Sequence, residues 1–172
     1  MYLLDANVFI QAKNLHYGFD FCPAFWDWLG EEHAAAKVHS VEKVFDEIKA
    51  GDDELSEWAR ARPEFFLNPD AEVVPSLQTV SNWAAGEDYE SAAVNTFLQG
   101  GDYYLIAHAH AHSLTVVTHE IPANSTKRIK IPNAYGETAA IALHLHGDPP
   151  GRFLRVLAPA ESRFRRTKPR PG

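Results

Sequence analysis

Three carboxylates stand at positions where such side chains do chemistry. Asp5 directly follows the apolar run Tyr2-Leu3-Leu4, Asp102 follows Gly100-Gly101 at the opening of a helical stretch, and Glu47 lies inside another apolar-periodic segment. A carboxylate held against a dry core is costly without a counter-charge. Several forced together repel one another and raise their pKa values unless a cation neutralises them. Oxygen-only ligation favours a hard ion, Mg²⁺ or Mn²⁺, and Mg²⁺ keeps several waters, one of which can attack a phosphodiester. Plainer uses stand beside this one: Asp102 as a simple N-cap that satisfies orphan N–H groups, and Asp5 as a hydrogen-bonded residue closing a strand.

For these side chains to meet, strands and helices must converge at one edge. Residues 2–5 and 114–118 read as buried strands and 37–40 as a third. Periodicity predicts helices over 23–32, 41–50, 54–61, 74–84, 89–98 and 103–112. Helix alternates with strand, and the strands are continuously apolar, which predicts an α/β fold: a parallel sheet covered on both faces, a three-layer α/β/α sandwich. Ligands of such sheets collect beyond the carboxyl ends of the strands, where Asp5 and Thr118 fall. Ser40 is expected to cap the helix that carries Glu47, and Glu47 reaches the crevice only if that helix crosses it.

A chain of 172 residues, 45% hydrophobic, supports one core. The single cysteine, Cys22, excludes an internal disulfide and a paired-cysteine zinc site, and predicts a cytoplasmic setting. The opening MYLLDANVFI has no basic leader and is far too short to span a bilayer, so no membrane association is expected. The net charge of −7 hides an asymmetry: residues 151–172 hold seven Arg or Lys against Glu161 alone, which leaves −13 on the remainder. Such a body does not coat nucleic acid passively, so any contact with RNA must be local. Lys127, Arg128 and Lys130 are candidates for it, as is the Arg-rich tail. The break at Gly147-Asp148-Pro149-Pro150-Gly151 and the Pro/Arg content beyond it predict a domain over 1–157 and a basic, mobile tail over 158–172.

Leu3-Leu4-Asp5-Ala6-Asn7-Val8-Phe9-Ile10 resembles the opening motif of PIN-domain ribonucleases, an Asp, one residue, then Asn or Ser. Glu47-Ile48-Lys49-Ala50-Gly51 resembles that family's second acidic motif, and Asp102-Tyr-Tyr-Leu-Ile-Ala-His-Ala its third. Thr118-His119-Glu120 stands where the fourth, usually Thr-Asn-Asp, is expected, with a side chain one methylene longer. Gly18-Phe-Asp-Phe-Cys-Pro23 with Phe25-Trp26-Asp27-Trp28 is similar to a bacterial PIN-like subfamily of uncharacterised function. The resemblance covers residues 1–133. It implies Mg²⁺- or Mn²⁺-dependent RNA cleavage, with Asp5, Glu47, Asp102 and Glu120 as catalytic and metal-binding residues and Asn7 and Thr118 supporting them. It also implies a toxin neutralised by an antitoxin protein; a homodimer is a further expected association. The composition of residues 134–172 departs from the family, which motivates the hypothesis of a changed reading frame there; sequencing the locus and finding no family-like continuation in its other frames would remove it.

Other features carry less. His108 and His112 lie at i, i+4, but Ala109 occupies the position where a zinc motif needs Glu, so structural histidines are expected. Trp26, Trp28, Trp58 and Trp83 fall in helical stretches and read as core or partner packing rather than base-stacking platforms. Gly100-Gly101 lacks the Lys-Ser/Thr or third Gly of a phosphate cradle. Two rival functions remain: a phosphatase with Asp5 as nucleophile, which wants an acid at position 7, where the chain has Asn; and a catalytically impaired RNA- or protein-binding module.

Overall fold

The computed structural model describes residues 1–135 and the backbone of 155–157. In chain order they form β1 (Tyr2–Leu4), α1 (Ala6–Gln11), a π-helical turn (Ala12–His16), α2 (Pro23–Ala34), β2 (Val38–Val41), α3 (Glu42–Lys49), α4 (Glu54–Arg60), a 3-10 turn (Pro63–Phe65), β3 (Phe66–Leu67), α5 (Val73–Gly86), α6 (Ser91–Gln99), α7 (Gly101–His112), β4 (Thr115–Thr118), α8 (Ile131–Tyr135) and β5 (Arg155–Leu157). The strands lie in the order β3-β2-β1-β4-β5. The first four are parallel, and β5 joins the edge antiparallel to β4. With helices on both faces this is the expected α/β/α sandwich. Among the described residues no helix is long and apolar enough to cross a membrane.

β1 is central because it is apolar on both sides: Leu3 and Leu4 are buried, aligned with His39 on one neighbour and with Val116 and Val117 on the other. The chain leaves β1 toward β2 and β3, then returns across it to β4, so the β1/β4 boundary is where the winding reverses. A crevice opens at such a switch point because the connections diverge from it. α7 packs against α3, α5, α6 and β2 and is buried continuously from Leu105 to Ala109, as a helix embedded on most sides must be. It ends at Ser113, whose φ of 53° provides the left-handed stop.

Three local expectations are corrected. α1 starts immediately after Asp5, where the sequence reading places no helix, because Ala6, Val8 and Phe9 form a helical face that sinks into the core. Ser40 is not a cap: β2 runs on to Val41, and Ser40, fully buried, donates its hydroxyl proton to the Leu4 carbonyl at 2.6 Å. Asp102 is not a cap either, since α7 begins one residue earlier with Gly100 in the capping position and no side-chain cap bond. The expected tail, 158–172, lies outside the described residues, as does most of the segment for which a changed frame was raised.

Candidate functional site

Asp5 sits one residue past the carboxyl end of β1, its N–H continuing the ladder to the Val117 carbonyl at 3.0 Å. Its side chain is 4% exposed. Thr118, at the end of the neighbouring strand, joins three chain positions through one hydroxyl. It donates to Asp5 Oδ2 at 2.7 Å and accepts from Asn7 Nδ2 at 3.1 Å and from the Glu120 N–H at 3.0 Å. Asn7 Oδ1 accepts the His119 N–H at 3.0 Å. Asn7 and Thr118 therefore lock the β4 exit onto the β1 exit, and Asp5 is oriented as a consequence.

Asp102 arrives from the other side. Helices that return to a parallel sheet run opposite to its strands, so α7, which leads into β4, begins at the edge where β1 ends. Glu47 meets it there: Glu47 Oε1 accepts the Gly101 N–H, one of the orphan donors of α7, at 2.8 Å. A side chain at position 101 would overlap this carboxylate, since an added Cβ would lie 2.8 Å from Glu47 Oε1. That is the physical use of Gly101, which the sequence offered only as helix punctuation. The Asp102 carboxylate accepts no hydrogen bond among the described residues. Burial, then the negative charges of Asp5, Glu120 and Glu47, lift its pKa to about 8, with Lys130 opposing. Burial also lifts Asp5 to about 7; the Thr118 hydrogen bond works against that rise, while Glu120 and Glu47 add to it.

Glu120 is engaged differently from the expectation. Its Oε1 lies 2.5 Å from Lys130 Nζ and 4.0 Å from Arg128 Nη2, and its Oε2 accepts the Ile131 N–H at 2.9 Å, where α8 begins. Lys130 is thus committed inside the site rather than offered to a ligand. Lys127 and Arg128 are exposed and border the cleft. The cleft measures about 620 Å³; the four acids lie on it together with Asn7, and Ile10, Ala93 and Phe97 form an apolar wall that sequence reasoning missed. No periodicity marks such a wall, because its members come from α1 and α6.

The donor set fits one kind of ion. Among the described residues no three Asp, Glu, His or Cys side chains are disposed to hold one metal, so an all-protein cage is not built. Two carboxylates with water and substrate oxygens in the remaining positions are the usual holding of Mg²⁺, and Asp5 is the foremost of the negative charges that act on Asp102. Glu47 and Glu120 already accept hydrogen bonds from the Gly101 N–H, the Lys130 ammonium and the Ile131 N–H.

The histidines and tryptophans fall elsewhere. His108 is 1% exposed, its Nε2 finds no partner among the described residues, and burial lowers its pKa to about 4, so it is a neutral core group. His112 pairs with Asp70 at 2.9 Å. Trp26 and Trp58 are core residues, stacked with Phe19 and set against Phe9 and Phe65, whereas Trp28 is half exposed beside Phe25.

A doubly wound α/β domain with an acidic, partly basic-rimmed cleft at its switch point is the class that fold and site define. The chain belongs to the family described as Domain of unknown function (DUF4411), which matches residues 2–140. No curated protein and no solved structure matches the chain.

Proposed function

We propose that this protein is a divalent-metal-dependent ribonuclease of PIN type that hydrolyses RNA phosphodiester bonds in a cytoplasmic setting. One observation carries the reading: four acidic side chains from positions 5, 47, 102 and 120 line a single cleft at the reversal point of a parallel sheet. A structural role does not account for bringing Asp5 and Asp102 out of water against each other's charge, which costs stability.

Asp5 and Asp102 would hold a Mg²⁺ or Mn²⁺ ion, which when bound offsets charge on the phosphate oxygens and acidifies a water. Thr118 and Asn7 fix the rotamer of Asp5. Glu47, anchored on the Gly101 N–H, orients the attacking water, and Glu120 keeps the β4 exit joined to α8. Lys127 and Arg128 attract the scissile phosphate to a cleft that is otherwise negative. In the reaction, the attacking water gives up one proton as its oxygen bonds to phosphorus, the P–O bond to the leaving ribose oxygen breaks, and that oxygen takes up a proton, so that one water is consumed for each bond cleaved. The phosphatase alternative loses ground at position 7, where an acid is wanted and the Asn7 amide instead bonds Thr118 and the His119 N–H. The binding-module alternative is favoured by the engagement of Glu120 and remains the second reading. The exposed Leu15, Phe21 and Trp28 offer apolar surface to an antitoxin-type protein or a second copy.

The test is incubation of the protein with mixed single-stranded and structured RNAs and Mn²⁺, alongside Asp5→Asn and a chelator control. Cleavage by wild type alone supports the reading; RNA binding without metal-stimulated cleavage supports the module; equal degradation in all three indicates a contaminant.

A further inference from the structure

Resting on that reading, we propose that Lys130 is the resident counter-ion of Glu120, so the cleft takes a single divalent cation between Asp5 and Asp102, and Glu120 does not ligate it. Both oxygens of Glu120 already accept a hydrogen bond, Oε1 from the Lys130 ammonium at 2.5 Å and Oε2 from the Ile131 N–H at 2.9 Å. The pair is withdrawn from water, with side chains 19% and 10% exposed. An exposed pair of this kind contributes little, but breaking a buried one strands a charge in a poor solvent. A second cation on Glu120 would have to displace the ammonium or sit beside it, and like charges at that separation repel strongly. The Glu120 backbone is also tied, its N–H donating to Thr118 Oγ1 at 3.0 Å. Asp102 contrasts on each point: it accepts no hydrogen bond among the described residues, and the charges around it are mainly negative, with Lys130 the opposing cation. Lys130 is therefore a positioning residue that fills one cation place in a four-acid site and leaves the other for a metal.

The experiment is calorimetric titration of the metal-free full chain with Mn²⁺, with bound ion counted independently by electron paramagnetic resonance, for wild type, Lys130→Met, Lys130→Arg, Glu120→Gln and the Glu120→Gln/Lys130→Met double variant. Thermal melts in chelator check that each is folded, and Lys130→Gln replaces Lys130→Met if the latter is not. Wild type and Lys130→Arg should each bind one ion. Glu120→Gln, which leaves a bare ammonium, should weaken Mn²⁺ binding by about 10-fold, within the usual range for groups that act on a metal through its surroundings. Lys130→Met should tighten binding by a similar factor or admit a second ion, and the double variant should return to within about 3-fold of wild type. Two ions in wild type, no change in Lys130→Met, or a double variant as weak as Glu120→Gln would overturn the proposal, the last because a lost ligand is not restored by removing a neighbour. Absence of any bound ion defeats the nuclease reading itself, an outcome distinct from these.

Discussion

At the scale of single residues, activity and stability pull in opposite directions. Asp102 carries a charge that the metal-free fold resists, so Asp102→Asn should melt at a higher temperature than wild type in chelator at pH 9 and differ little at pH 3. Asp5→Asn and Asp102→Asn should each lower metal-dependent RNA cleavage by at least about 100-fold, as expected when a preorganised electrostatic group is lost. Thr118→Val keeps the shape but removes the hydroxyl shared by Asp5, Asn7 and Glu120. Leaving buried polar groups unpaired costs about 1–3 kcal/mol each. A loss on the order of 2–4 kcal/mol in denaturant unfolding is expected, and activity should fall with it; an unchanged midpoint would mean that water replaces the hydroxyl.

At the scale of elements, the junction of α3 with α7 decides whether Glu47 belongs to the site. The sequence put Glu47 on a helix and left open whether that helix crosses the crevice. The Gly101 N–H supplies the answer, and a small residue at 101 is the condition for it. Helix propensity alone favours Gly101→Ala by up to about 1 kcal/mol. The new Cβ meets the far end of a flexible side chain, so Glu47 can swing aside without damage to the fold. The expected result is a melting temperature unchanged or raised while cleavage drops by about 10- to 100-fold, the usual consequence of a displaced positioning group; equal activity would remove Glu47 from the mechanism.

At the scale of the whole molecule, the cleft links stability to pH and to metal. The carboxyl groups of Asp5 and Asp102 have pKa values of about 7 and about 8 in the fold against an ordinary 3.8. The folded protein therefore holds protons that the unfolded chain releases, and this contribution is complete below pH 4 and lost as pH rises through 7 and 8. Thermal melts in chelator should fall across that window. Added Mn²⁺ should reverse the fall at pH 8, by about 2.7 kcal/mol when the ion is present at 100 times its dissociation constant. A melting temperature insensitive to Mn²⁺ at pH 8 would count against an ion held by this pair.

What the sequence determined by itself was local. Apolar runs ending in Asp5 and Thr118, alternating with helical periodicity, implied a parallel sheet with acids at its carboxyl edge, because strand and helix periods are written in neighbouring residues. Only the tertiary structure decided how those acids divide their work. Ser40 bonds β1 rather than capping a helix, Glu47 reads the first N–H of α7, and Glu120 is claimed by Lys130 ten residues on. Each of these depends on which lone pair faces which donor once the elements have packed, and no spacing along a chain encodes that.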